Sequence, residues 1–289
     1  MKKTTFGGII SKILTYVALV VLAVSIIVPV AWVFMASLKR NSEFIGEGTN
    51  PWALPKEFFF QNFQVAFRDA NMGSFLINSV IVTALALILL LIVALPASYA
   101  LARFDFRGKK ILDIAFMAGL FININYIVVP IFLMLSGANK ALGVSFFLDN
   151  RLILAIVYVA SALSFTIFLL SGYFKTLPKG FEEAAYIDGC GYFKTMTSIM
   201  IPMAKPSIIT VILFNFLSFW NEYIIAYTLM SEHGTLAMGL KNLMAVEKTA
   251  TNYGIMYAGL VIVMLPTLLL YIAVQKQLTE GMTLGGLKG

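Results

Sequence analysis

The sequence predicts an all-α polytopic membrane protein with six transmembrane helices. Of its 289 residues, 60% are hydrophobic and only 12% are charged, which leaves too little polar surface to cover a soluble domain. The apolar residues are grouped into runs of roughly 20 or more, the length that a helix needs to cross a bilayer. In such a protein the net charge of +7 is a guide to topology, and we expect no nucleic-acid partner.

The six apolar runs are taken as spans in chain order, within a single transmembrane domain that covers 1–289. Pro29 lies in the first run and Pro96 in the second, where neighbouring helices can satisfy the carbonyls that a proline leaves free. We expect the connection between them to lie outside and to contain a short interfacial helix around 58–67. The predicted spans are 13–38, 72–102, 111–135, 152–174, 206–230 and 254–274.

The distribution of basic residues predicts that both termini are cytoplasmic. With that orientation, 13 Lys and Arg residues lie in cytoplasmic segments and 8 in external ones. The compact cluster Arg103, Arg107, Lys109 and Lys110 follows the second span, where the positive-inside rule places it in the cytoplasm.

The polar connection 175–205 predicts two short helices outside the lipid. Leu177-Pro178 ends the fourth span, a helix over 181–188 follows, and Gly189 is suited to a left-handed cap. A second helix runs over 192–201 and ends near Pro202. The first helix offers two carboxylates and two small surface residues to a partner protein: Glu183, Asp188, Ala184 and Ala185. The alternative is an ordinary connector whose acidic residues are only solvated.

This connection carries a longer pattern: Glu-Ala-Ala, three residues, Gly, nine residues, then Ile-x-Ile-Pro, from Glu183 to Pro202. It resembles the EAA motif of ATP-binding cassette importer permeases, with Ile201 where Leu is usual. Three further segments and the glycine-rich tail resemble carbohydrate-uptake permeases related to the maltose transporter, most closely the smaller six-span member of the pair. These segments are 74–79, 99–103 and 220–222.

The resemblance implies a type I importer permease fold with a cytoplasmic coupling helix, in a prokaryotic cytoplasmic (inner) membrane. It also implies a heterodimer with a second homologous permease, two ATPase subunits and an extracellular sugar-binding protein. Transport would then be by alternating access, with a sugar, in particular an oligosaccharide, as cargo; the alternative cargo is glycerol phosphate or a polyol. The residues implied in ATPase coupling are Glu182, Glu183, Ala184, Ala185, Asp188, Gly189 and Pro202.

The chain itself is not expected to be an enzyme. It has no G-x-x-x-x-G-K-[ST] phosphate loop, since Gly108-Lys109-Lys110 lacks both the earlier glycine and the hydroxyl residue. We therefore expect a partner ATPase to bind ATP and Mg, and no cofactor or metal in this chain. A membrane enzyme would need clustered His, Cys or acidic ligands, whereas His233 is the only histidine and fits a solvated residue of the external loop 231–253.

Polar residues within the apolar runs are candidates for a substrate path, because polar groups in a membrane need partners or an aqueous route. Hydrogen bonds between helices are the alternative explanation. Apart from Glu222 the spans lack ionisable residues, which disfavours an ion-coupled secondary transporter. The resemblance further suggests that the tail 283–289 contacts the ATPases; a disordered terminus is the alternative. The candidate path residues are Asn78, Asn123, Asn125, Asn215, Asn221 and Glu222.

Overall fold

A computed structural model describes residues 6–46, 48–246 and 252–286. Within those ranges the regular secondary structure is entirely helical. In lipid a helix satisfies all of its own backbone hydrogen bonds, so long apolar runs adopt it. The helices are α1 (Phe6–Ala36), α2 (Gln61–Arg68), α3 (Met72–Arg103), α4 (Lys109–Gly119), α5 (Val128–Leu142), α6 (Arg151–Thr176), α7 (Gly180–Ile187), α8 (Tyr192–Thr195), α9 (Ile201–Met203), α10 (Lys205–Trp220), α11 (Ile224–Leu229), α12 (Leu236–Val246) and α13 (Tyr253–Gly286).

Four of the described helices are long and apolar enough to cross a membrane. They are α1, α3, α6 and the Tyr253–Lys276 part of α13, and they coincide with the first, second, fourth and sixth predicted spans. Pro29, Pro96 and Pro266 lie inside three of them without ending the helix.

The third and fifth predicted spans are not continuous helices. The third is divided into α4 and α5 by a single turn of 3₁₀-helix at Ile124–Tyr126, which begins where the Asn123 side chain accepts a hydrogen bond from the Asn125 N–H. The fifth is divided into α10 and α11 at Asn221–Tyr223. Asparagine side chains that bond to nearby backbone compete with the helix, which explains the first break.

The described residues fall into two compact units, one within Met1–Met72 and Leu240–Met264 and the other within Gly73–Gly239 and Leu265–Gly289. The predicted interfacial helix is present in the first unit as α2. Its Asn62 is buried and donates hydrogen bonds to the carbonyls of Ser37 and Lys39, at 2.9 and 2.8 Å. These bonds fix α2 against the end of α1.

Lys39 is completely buried in this first unit. Its ammonium group donates a hydrogen bond to the Pro51 carbonyl at 2.8 Å, and the same carbonyl accepts one from the Trp32 indole at 3.2 Å. Burial lowers the pKa of Lys39, and the nearby Glu43 carboxylate partly offsets that effect. The connection after α1 is therefore folded around a buried cation.

The second unit contains a continuous apolar core built from α3, α5, α6, α10 and α11. Helices α4 and α6 approach closely at Gly119, where an added Cβ would lie 2.2 Å from the Ser164 hydroxyl oxygen. The predicted external loop 231–253 contains a helix, α12, which the sequence did not indicate. The predicted tail 283–289 begins within α13, and its last three residues, 287–289, lie outside the described residues.

Candidate functional site

The turn at Gly189 has the predicted geometry. Helix α7 covers Gly180–Ile187 and carries Glu182 and Glu183 in its first turn, where carboxylates favour the positive end of the helix dipole. Gly189 has φ of +76°, and the Cys190 N–H donates to the Ala185 carbonyl at 2.9 Å. This bond across a left-handed residue is the Schellman cap. The predicted glycine cap is confirmed.

Helix α7 has a buried face and an exposed face. Glu182 and Ala185, three residues apart and therefore on one side of the helix, are buried. Glu183, Ala184 and Asp188 are exposed. The expectation that Ala185 lies at the surface is wrong, because its side of α7 packs against the following helical segment.

Glu182 faces into the protein and contacts the end of α3. The Tyr99 hydroxyl donates a hydrogen bond to Glu182 Oε1 at 2.8 Å, and Arg103 Nε lies 3.4 Å from the same oxygen. Arg103 also donates from Nη2 to the Leu177 carbonyl at 2.7 Å, on the chain between α6 and α7. The Arg103 and Glu182 side chains are only 6% and 11% exposed. Glu182 is therefore not available to a partner surface, and we call Tyr99, Arg103 and Glu182 the buried joint.

Tyr99 is fixed by the aromatic residues around it. Its ring packs edge-on against Phe104 at 5.5 Å and against Phe174 at 5.7 Å between centroids. Phe104 in turn contacts Tyr192 at the start of α8, at 5.5 Å. Tyr99 of the buried joint thus packs against Phe174 of α6 and against Phe104, which in turn connects it to α8.

The segment after α7 is helical up to Met203, with a π-helical turn at Met196–Met200. The exposed Pro202 follows that turn. A proline lacks the N–H of a regular helical bond and crowds the preceding turn, so a wider turn relieves it. The axis then changes by 75° between Tyr192–Met203 and Lys205–Trp220, and the predicted end of this segment near Pro202 is confirmed.

An exposed apolar surface surrounds the carboxylates of α7. Ile187 is 86% exposed and Phe193 is 75% exposed, and Phe181 is exposed on the same segment. These residues lie outside the four single helices that are long enough to span a membrane, although Phe193 belongs to Tyr192–Met203, which is long and apolar enough only when joined to Lys205–Trp220 across the 75° bend. Exposed apolar residues among polar ones are typical of a protein interface.

Three of the candidate path residues are asparagines whose side chains donate hydrogen bonds. Asn78 is buried and donates to the His233 and Gly234 carbonyls, at 2.7 and 3.1 Å. Asn215 is buried and donates to the Thr166 hydroxyl of α6 at 3.0 Å, the bond between helices that was the alternative explanation. The exposed Asn221 donates to a carbonyl of its own helix.

Glu222 lies at the break between α10 and α11. It accepts hydrogen bonds from the Tyr158 hydroxyl at 2.9 Å and from the N–H groups of Ile225 and Ala226, at 2.7 and 2.9 Å. A carboxylate in this position satisfies the free N–H groups at the start of α11. Asn123 and Asn125, the remaining two candidates, are exposed in the turn between α4 and α5.

His233 is exposed, as expected, but it is also bonded. Asp149 Oδ1 accepts hydrogen bonds from the N–H groups of Glu232 and His233, and Asp149 Oδ2 pairs with His233 Nδ1. Burial opposes ionisation of Asp149, but these donors outweigh it and hold the pKa of Asp149 below its usual range. Asp149, Glu232 and His233 place one ligand atom each within 4.8 Å, a grouping that the sequence did not predict, although both Asp149 oxygens are already used.

Sequence reasoning missed the roles of Tyr99, Arg103, Asp149 and Tyr158. Tyr99 was noted only as part of a resembling segment, and Arg103 only there and in the basic cluster after the second span. Their four-residue spacing places them on one face at the end of an apolar helix. That spacing is the signal that could have identified them. Asp149 and Tyr158 act on residues more than sixty positions away and carry no local signal.

Residues 94–283 match the family of binding-protein-dependent transport system inner membrane components. The diacetylchitobiose uptake system permease protein NgcG of Streptomyces coelicolor is 33% identical over 274 residues, covering 94% of this chain and 87% of that protein. The melibiose/raffinose/stachyose import permease protein MelC of Bacillus subtilis is 27% identical, covering 96% of this chain and 97% of that protein.

The fold is similar to that of a bacterial ABC transporter involved in alginate import. Its crystal structure matches with a TM-score of 0.78 at 24% identity, covering 96% of this chain and 99% of that chain. This likeness confirms the importer permease fold. Together with the family match over most of the chain, it identifies the protein as a member of the binding-protein-dependent transport system inner membrane component family.

Proposed function

We propose that this chain is a permease subunit of an ATP-driven, binding-protein-dependent importer for an oligosaccharide. Three relatives are named for diacetylchitobiose, trehalose and melibiose, raffinose or stachyose, which favours small oligosaccharides over glycerol phosphate or polyols. The importer contains a second, homologous permease, two ATPase subunits that bind ATP and Mg, and an external sugar-binding protein. Both termini are cytoplasmic, so the end of α3 at Arg103 and helix α7 are also on that side.

The exposed face of α7 is the observation that supports this function most directly. It combines the carboxylates of Glu183 and Asp188 with the small Ala184 and with the apolar Ile187 and Phe181. A basic partner surface can bind the carboxylates by charge-assisted hydrogen bonds, while the apolar residues are buried by the contact. We assign this face as the contact with the ATPase, and we call α7 the coupling helix.

In the mechanism, ATP-induced closure of the ATPases displaces the coupling helix. The helices to which it is bonded move with it, and a central cavity changes the side to which it opens. Gly189 and Pro202 set the direction of the chain after the coupling helix. The candidate path residues remain a prediction as a lining, and the hydrogen bonds of Asn78, Asn215 and Glu222 described above are also explained by a structural role.

The test compares Glu183→Lys with Glu57→Lys in the reconstituted importer. Both glutamates are exposed, and Glu57 lies in the connection after α1, where it pairs with Arg40 at the surface. We expect Glu183→Lys to insert normally but to lose ATP-driven uptake, because its ammonium group repels a basic partner surface. Glu57→Lys should transport normally, since surface pairs contribute little.

Two outcomes would contradict the proposal. Normal uptake by Glu183→Lys would show that α7 is only a connector. Uptake that persists in vesicles without the ATPases would show that the energy source is an ion gradient. Competition by di- and trisaccharides, compared with glycerol phosphate and polyols, then tests the class of cargo.

A further inference from the structure

Helix α3 is bonded to a different segment at each of its ends. Near its start, the buried Asn78 donates to the carbonyls of His233 and Gly234, and the Ser79 hydroxyl accepts a hydrogen bond from the Leu236 N–H at 2.8 Å. Three bonds therefore attach α3 to the segment 233–236. That segment follows α11 and is also bonded to Asp149.

At its other end, α3 carries the buried joint to the coupling helix. Tyr99 and Arg103 contact Glu182, and Arg103 also contacts the chain just before α7. The contact involves a carboxylate with little exposure to water. Removing one partner of a buried ion pair lowers stability more than removing one partner of a surface pair, because the remaining charge is then buried and unpaired. A displacement of α7 is therefore transferred to α3 more readily than it breaks the joint.

The helix between these two ends is continuous and closely packed. Asn78 and Tyr99 are 21 positions apart, which corresponds to about 32 Å at 1.5 Å per residue. Val82, Ala86, Leu90 and Ala94 recur at every fourth position, and each is 1% exposed or less. All four belong to the apolar core of the second unit. The helix continues through Pro96, and an interior packed in this way has low compressibility and transmits strain.

We propose that α3 transmits the displacement of the coupling helix to the segment 233–236, with Glu182 and Asn78 as the positioning residues at its two ends. This inference rests on the proposed function. With the coupling helix on the cytoplasmic side, the segment 233–236 lies on the external side, where the sugar-binding protein docks. Because coupling between two sites is reciprocal, docking of the sugar-loaded protein at the outer end also acts on the ATPases through α3.

The test measures three quantities in proteoliposomes with the full importer: uptake, ATP hydrolysis with and without the sugar-loaded binding protein, and thermal stability. Glu182→Gln removes the charge at the inner end, and Asn78→Leu removes the two N–H donors at the outer end while keeping the same branching and number of side-chain heavy atoms. Thr166→Val is the matched control. It removes a buried hydrogen bond between α6 and α10, that from Asn215, and neither residue belongs to the buried joint or to the segment 233–236.

We expect both end variants to reduce the sugar imported per ATP hydrolysed by about fivefold or more, which is the fold-change at the lower end of typical couplings between two sites. Both should also lose the stimulation of ATP hydrolysis by the loaded binding protein. The control should lower thermal stability while the ratio of sugar to ATP stays at the wild-type value.

A variant at either end that loses stability but keeps the wild-type ratio overturns the inference, because its bonds are then only structural. If Glu182→Gln fails to assemble, Tyr99→Phe decides, since it removes one hydroxyl and retains the ring contacts with Phe104 and Phe174; a wild-type ratio in Tyr99→Phe rejects the inner end. The proposed function fails separately, and is recognised by the absence of ATP-driven uptake in the wild-type importer.

Discussion

Replacing Gly189 with alanine tests whether the turn after the coupling helix depends on glycine alone. Its φ of +76° is in the left-handed region, and no atom lies within 4 Å of an added Cβ. A substitution there meets no neighbour, so its whole cost is conformational. For an L-residue that cost is about 1–2 kcal/mol.

The matched control is Gly180→Ala, in the same helix. Gly180 also has open space around an added Cβ, but its φ is not positive. Alanine is the better helix former by up to about 0.5–1 kcal/mol. Glycine-to-alanine substitution is therefore expected to lower stability at 189 and to raise it at 180. Gly189→Asn should lower stability less than Gly189→Ala, because asparagine tolerates the left-handed region.

Hydrogen exchange at the Cys190 amide is a direct assay, because that N–H closes the cap by donating to the Ala185 carbonyl. A cost of 1–2 kcal/mol corresponds to an increase of about 5- to 30-fold in the open population. We expect exchange to be fastest in Gly189→Ala, intermediate in Gly189→Asn and no faster than wild type in Gly180→Ala. Equal exchange in Gly189→Ala and wild type would show that the left-handed geometry does not hold this turn.

Two further predictions concern buried or paired charges outside the coupling helix. Lys39→Met should leave thermal stability unchanged or raise it, because the Pro51 carbonyl keeps its hydrogen bond from Trp32 and the desolvated ammonium is removed; a clear loss in a detergent melting experiment would contradict this. The pKa of Asp149 is lowered in the folded protein. Its bonds to the segment with His233 therefore contribute fully to the free energy of unfolding above the unfolded pKa of about 3.9, and this contribution is lost as the pH falls below that value. Acid titration of stability should show this loss in the wild type and not in Asp149→Asn.

The sequence was sufficient for the long spans, because length and apolar composition decide whether a helix can cross a membrane. It was insufficient at 111–135 and 206–230, where the overall apolar character hid local breaks. Asn123 starts a turn, and Glu222 satisfies N–H groups at the start of α11. Two of the residues taken as candidates for a substrate path are thus also the residues that end or begin helices.

The coupling connection was predicted more closely than the buried joint, since its signals are local. Proline and glycine positions determined the ends of α7 and of the segment before α10. The joint depends on Tyr99 meeting Glu182, residues 83 positions apart. No periodicity within either helix specifies that contact, although the four-residue spacing of Tyr99 and Arg103 indicates that both face the same way.

Glu182 and Glu183 are chemically identical neighbours with opposite environments, because successive residues of a helix are rotated by about 100°. The substitution to lysine should therefore have different consequences at the two positions. In Glu183→Lys the new ammonium group is exposed on the permease itself, so the permease should fold and insert normally while ATP-driven uptake is lost. In Glu182→Lys a second cation is placed beside the buried Arg103, and loss of such a pair costs about 3–5 kcal/mol, so folding of the permease itself should fail. Equal yields of folded permease from both variants would mean that the orientation of α7, and with it the buried joint, is wrong.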